Sequence, residues 1–162
     1  MPSNRLTRAV ALTGKLPRAL QSSALSLLLG SQVKFAGTAK IRIHALSHSR
    51  SVLSIANRGK VQNHIKGVHA AAMALLAESA TGFLVGMNVP DDKLPLIKTL
   101  KVDYLRRATG ALQAVATLSP EQIQAIQAEE KGEVLVAVTV TDEAGIEPIR
   151  CEMRWAWVSK TR

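Results

Sequence analysis

The one acid in the most apolar stretch of this chain is Glu78. From Gly67 to Val85, apolar residues would cover every side of a helix, with Val68, Ala70 to Ala77, Ala80 and Phe83 to Val85 around that carboxyl. Burying a carboxylate costs free energy unless it is neutral, paired or hydrogen-bonded. Glu78 therefore either pairs with a base such as Arg42 or Lys66, or is held for chemistry as a general base or nucleophile. Just upstream runs Asn63-His64-Ile65-Lys66-Gly67-Val68-His69-Ala70. The first N–H groups of a helix are unpaired and lie at its positive end. The backbone N–H of His69 or Ala70 is thus placed to polarise a carbonyl and stabilise a developing oxyanion. Asn63 suits a turn or cap, or the orientation of a water or acyl carbonyl. His69 suits a satisfied core histidine, or a hydrogen-bond partner near that carbonyl.

Other chemistries find less support. His44 and His48 could share a strand face, but no third ligand accompanies them, and no Cys/His spacing resembles a zinc site. Cys151 is the sole cysteine and has no internal disulfide partner. No metal or redox cofactor is expected.

Charge is divided unevenly. Residues 1–77 hold eleven Lys/Arg and no acid, while all twelve Asp/Glu lie in 78–162 against ten Lys/Arg. Such a basic half is either a solvated face or a seat for an acidic partner: nucleic acid, an anionic membrane surface, or a polyphosphate such as coenzyme A. Nucleic acid is disfavoured, because Phe35 is the only aromatic in the basic half and single-strand grooves want several stacking platforms.

The elements that must position these residues follow from periodicity. Residues 4–29 read as two helical pieces, broken at Gly14 and Pro17 and stopped at Gly30. The same Arg-, Ser-, Ala- and Leu-rich stretch has the composition of a mitochondrial transit peptide. Residues 39–57 read as two strands, with Ile41, Ile43 and Ala45 facing inward and a turn across Ser47–Ser51. The all-apolar helix comes next and should be buried all round. Two strands follow, Leu100-Val102-Tyr104 and Leu112-Ala114-Ala116-Leu118. A short helix opens at Ser119-Pro120-Glu121-Gln122, with Gln122 where a capping box wants it, and stops at Lys131-Gly132. The last two strands carry Val134 to Val140 and Ile149 to Trp157. The expected fold is α+β: a six-stranded antiparallel sheet curled around one buried helix. One sheet covers only one side of that helix, so its alanine-rich flank calls for a second subunit.

The motif residues resemble the hotdog-fold acyl-CoA thioesterases, including relatives of the phenylacetate-pathway thioesterase. Those enzymes set an Asn, a His six residues later and an acid nine residues after the His around the start of the central helix. Asn63, His69 and Glu78 stand at those intervals. Tyr104-Leu105-Arg106-Arg107-Ala108-Thr109-Gly110 is similar to the family's third-strand stretch, with Arg107 where a Pro is common. Ala70-Ala71 replaces the family's Gly-Gly. The resemblance is nearest to a little-characterised branch with an N-terminal helical extension, here residues 1–37 before a hotdog domain at 38–162. It implies thioester hydrolysis of an acyl-CoA to free acid and CoA, by a homodimer or dimer of dimers, with Glu78 acting across the interface as base or nucleophile. It also implies that Arg106, Arg107, Lys60 and Lys66 hold the CoA phosphates. Two other readings stand beside it. A non-enzymatic acyl-CoA or fatty-acyl binder would keep Glu78 for structure, and a hydroxyacyl dehydratase would pair His64 with Glu78, fourteen residues apart, although the His-Phe-Pro and Pro-Gly of such enzymes are missing.

No run approaches the 18 or so apolar residues of a membrane span. With one cysteine and no apolar signal sequence, the expected home is the cytoplasm, or the mitochondrion if residues 1–30 direct import.

Overall fold

The computed structural model describes residues 4–160; the outermost residues of the expected extension (1–3) and of the hotdog domain (161–162) lie outside the described residues. In chain order the elements are α1 (Arg5–Thr13), α2 (Arg18–Gln32), α3 (Lys34–Thr38), β1 (Arg42–Leu46), β2 (Arg50–Ile55), α4 (Ala70–Gly86), β3 (Lys93–Tyr104), β4 (Leu112–Thr117), α5 (Pro120–Ala128), β5 (Gly132–Asp142) and β6 (Ile149–Ser159). A 3₁₀ turn at Gly59–Val61 lies between β2 and α4. The six strands form one antiparallel sheet in the order β1-β2-β4-β5-β6-β3, curled around α4. This is the α+β hotdog arrangement that the sequence predicts.

Helix α4 is buried on most sides because it has almost no polar side chain to keep wet. Leu76, Ala77, Ala80, Leu84 and Val85 are fully enclosed. Its few polar groups are satisfied locally: Ser51 Oγ donates to Ala80 O at 2.7 Å, and Trp155 Nε1 donates to Thr81 Oγ1 at 2.9 Å. Gly82 lets the Trp155 ring approach the helix closely, since a Cβ there would sit 2.7 Å from the indole.

The structure corrects five details of the expected elements. Gly30 does not stop the second helix, which runs to Gln32; a Cβ on Gly37 would sit 2.4 Å from Gly30 O, so this glycine pair is where α3 crosses α2. A bulge between Ile43 and Ala45 shifts the phase of β1, leaving Ala45 exposed while Ile41 and Ile43 stay buried. Strand β3 begins at Lys93, well before Leu100. The central helix starts at Ala70, because Val68 is still extended and bridged to Gln62. Helix α5 has the predicted capping box at Ser119 and Gln122 and ends at Ala128, short of Lys131-Gly132.

The two sheet edges differ. Beside β1, Ser22 and Ser26 of α2 bond Ile43 O and Ile43 N at 2.7 and 2.8 Å, so the helix covers this edge. At the other end, the twelve-residue β3 pairs only with β6 and exposes Leu94, Leu96, Ile97 and Leu100. The extension packs as part of the same core: Leu25, Leu29 and Ala36 join it, and buried Asn4 donates to Gly86 O at the end of α4 and to Val89 O just past it.

Candidate active site at the start of the central helix

His69 is the N-cap of α4 (φ −63°, ψ 144°), and its Nδ1 accepts from Ala71 N–H at 3.0 Å. As the acceptor in that bond Nδ1 carries no proton, which leaves Nε2 as the donor of the ring. The backbone N–H of His69 is spent on Val61 O at 2.8 Å. Of the two oxyanion donors expected from the sequence, the His69 N–H is therefore occupied, and the Ala70 N–H is the one left at the helix start. Ala70 O accepts from Tyr104 Oη at 2.8 Å, tying the end of β3 to the beginning of α4.

Asn63 organises the loop ahead of the helix. Its Oδ1 accepts from Ile65 N and Gly67 N at 3.1 and 3.0 Å, and Lys66 within that turn adopts φ +62°. This is the turn role among those open to Asn63. The side-chain amide hydrogens make no bond to protein among the described residues and remain able to donate. Arg107 closes the loop from outside, with Nη2 donating to Ile65 O at 3.1 Å. Lys60, His69, Ala72 and Leu75 line a cavity of about 210 Å³, whose far wall is Phe35 and Thr38 of α3. Sequence reasoning missed both Tyr104 Oη and this α3 wall. The available signal was Phe35, the lone aromatic of the basic half.

Arg106 lies apart from this cluster. Its guanidinium stands 3.4 Å from the fully enclosed carboxylate of Asp142, which also receives Thr109 N, Ala144 N and Ile146 N. Those backbone donors and Arg106 hold the Asp142 carboxyl below its usual range. Arg106 thus steadies a turn. The exposed His64 makes no hydrogen bond among the described residues, and nothing joins it to Glu78. The two other histidines part company: His44 bonds Ser54 Oγ at 2.7 Å and His48 bonds Asn88 Oδ1 at 3.0 Å. Among the described residues no group of side chains could hold a metal ion.

Glu78 is half-buried, and of its two alternatives the salt bridge is not formed: among the described residues neither Arg42 nor Lys66 pairs with it. Its side-chain partner is Ser79 Oγ at 3.4 Å. Burial raises its pKa above the ordinary value of 4.5, and the Ser79 bond offsets this only in part. Along α4 the less buried positions are Ala70, Ala71, Ala74, Glu78, Gly82 and Gly86, one stripe at helical spacing. Glu78 is eight residues beyond Ala70, or about 12 Å along the axis. One protomer therefore cannot bring this carboxylate to a carbonyl seated on its own helix start. A partner lying antiparallel against the stripe could.

Residues 21–158 match a domain family described as a domain of unknown function, DUF4442. The chain belongs to the DUF4442 family. Comparison with curated proteins finds no match. Among solved structures, this DUF4442 chain is similar to Pseudomonas aeruginosa PA5026, described as a protein of unknown function and probable thioesterase, with TM-score 0.75 and 24% identity over 90% of this chain and 97% of that one. It is also similar to thioesterase PA1618 from the same organism (TM-score 0.67, 18% identity, 84% and 94% coverage). Thioesterase HI1161 from Haemophilus influenzae gives TM-score 0.64 and 13% identity over 85% and 90% of the two chains. These likenesses establish that the DUF4442 chain has the fold of hotdog thioesterases.

Proposed function

We propose that this protein hydrolyses acyl-CoA thioesters in a site completed by two protomers. The observation that carries the reading is Glu78: a half-buried carboxylate without an ion-pair partner, on the accessible stripe of an otherwise apolar helix. An acid kept there for structure calls for a firm partner, and the one it has is Ser79 Oγ at 3.4 Å.

In the proposed reaction the thioester carbonyl lies against the Ala70 N–H of one protomer, where the helix start draws electron density onto oxygen. Glu78 of the facing protomer takes a proton from water as the new C–O bond forms. Collapse of the tetrahedral intermediate breaks the C–S bond, and the departing CoA thiolate accepts the proton. Direct attack by the carboxylate would give an anhydride that water then opens, with the same products. In this reading the Asn63 amide and the Nε2–H of His69 are donors near the carbonyl. The cavity walled by Leu75, Ala72 and Phe35 suits the start of an acyl chain. Lys60 at its rim, Lys66 and Arg107 are the cations for the CoA phosphates, while Arg106 is committed to Asp142.

The dimer in this proposal forms along the open edge of β3, whose apolar side chains and unpaired backbone groups invite a second copy. The exposed Ala70 and Ala71 methyl groups, where related enzymes carry glycine, favour one other reading, an acyl-CoA binder without turnover. Thiol release from short, long and aromatic acyl-CoAs separates the two. The enzyme reading expects turnover of one class and a loss of roughly a hundredfold or more in Glu78→Gln, the scale of a missing acid–base group. A protein that acyl-CoA stabilises against heat without any thiol release would be a binder.

A further inference from the structure

The N-terminal helical layer carries an apolar and cationic surface that the active site does not use. Leu12, Leu20 and Leu27 are 63%, 54% and 77% exposed. Leu20 and Leu27 are seven residues apart on α2 and so share a face, opposite the core-facing Leu25 and Leu29. Beside that face, a groove of about 700 Å³ runs between α2, α3 and the start of β1. Leu27 and Ile41 contribute to its apolar lining, Lys34, Lys40 and Arg42 stand along it, and none of its lining residues is acidic. The acid that meets this layer, Asp91, bonds Arg5 N and Arg8 on α1 and lines no part of the groove.

We infer that this layer is a docking face for an anionic lipid bilayer, on which the protein lies peripherally through Leu20, Leu27 and the cations Lys34 and Lys40. Exposed leucines beside an acid-free set of Lys and Arg match a surface whose headgroups are negative and whose interior is hydrocarbon. No helix among the described residues is long and apolar enough to cross a membrane, so the contact is one of lying on the surface. Nucleic acid would satisfy the charge but give the leucines nothing, and the lining of the groove holds no aromatic for stacking. The inference is independent of the thioesterase reading, because vesicle binding is measured without substrate.

The test is co-sedimentation of the full chain with vesicles of phosphatidylcholine alone and of phosphatidylcholine mixed with phosphatidylglycerol, at low and high salt. Wild type is expected to bind the mixed vesicles, to ignore the neutral ones and to be released by salt. The paired variant Leu20→Gln/Leu27→Gln should lower binding roughly tenfold or more, and Lys34→Gln/Lys40→Gln should weaken it and flatten the salt dependence. Both pairs are exposed, and an unchanged circular dichroism spectrum and melting curve confirm that each folds. The inference is overturned if wild type binds neither vesicle or both alike, or if neither pair changes binding. It is equally overturned if the leucine pair instead dissociates a larger assembly of the chain, or if the face binds RNA in preference to vesicles.

Discussion

At the scale of single residues, the account turns on where charge is kept and where it is spent. Glu78 has its pKa raised by burial, so folding favours its neutral form. The sign of the linkage follows. Stability tied to the protonated carboxyl is fully present below the unfolded value, near 4.5, and is lost as pH rises through the higher folded value. Glu78→Gln should therefore melt at a higher temperature than wild type at pH 7–8, and the difference should vanish toward pH 4; calorimetry across that range checks it. Activity runs the other way. The carboxylate must be ionised to act, so the acid limb of kcat/KM should lie above the ordinary glutamate range and be missing from the variant's residual rate. Cys151 offers no competing nucleophile: burial, with Asp103 and Glu147 nearby, pushes its thiol up to about 11. Of this chemistry, the position of Glu78 was legible from its isolation among apolar neighbours. Its freedom from Arg42 and Lys66 was not, because pairing depends on where β1 and the loop end up in space. The Val61 bond that occupies the His69 N–H is a long-range backbone contact with no trace in side-chain pattern.

At the scale of elements, α3 is the piece whose placement matters most for so short a segment. It brings Phe35 and Thr38 to the cavity beside His69, and it can do so because Gly37 rides directly on Gly30. Gly37→Ala would push a methyl group against backbone, which cannot turn aside as a flexible side chain can. Overpacking of this kind costs about 1–3 kcal/mol, against a gain of about 1 kcal/mol from the better helix former. A net loss of stability in urea unfolding is expected, along with a raised KM for acyl-CoA at nearly unchanged kcat. The main elements could be read from periodicity alone: the all-apolar α4, the capping box of α5 and the alternation in β4, β5 and β6. Where the reading failed, geometry overrode pattern. A glycine that looks like a helix stop serves as a crossing point, and a single-residue bulge in β1 turns Ala45 outward against its alternation. The early half of β3 hid its strand character because an edge strand exposed on both faces has no inward stripe to reveal it.

At the scale of the whole molecule, the fold leaves two features that one partner would satisfy together: the open β3 edge and the small-residue stripe around Glu78. Tyr104 Oη on Ala70 O connects them, so pairing at the edge sets the start of the helix as well. The chain should run as a dimer in light scattering. Leu96→Lys/Leu100→Lys should give a folded monomer with little thioesterase activity, although no proposed active-site residue is altered. The expectation of a partner came from an alanine-rich flank without a cover; which edge would serve was not legible, since that depends on α2 covering β1. The most direct measurement of the central claim is complementation between two disabled chains. Glu78→Gln lacks the base. Ala70→Pro lacks the helix-start N–H, yet proline is well tolerated at the first helical position, and His69 already has the extended backbone that must precede it. Each variant alone should release almost no thiol from the preferred acyl-CoA. Unfolded and refolded together, they should recover roughly a quarter of wild-type activity, because half of the dimers are then mixed and each mixed dimer has one intact site of two. No recovery in mixed dimers whose formation is verified by mass would contradict a site shared between protomers.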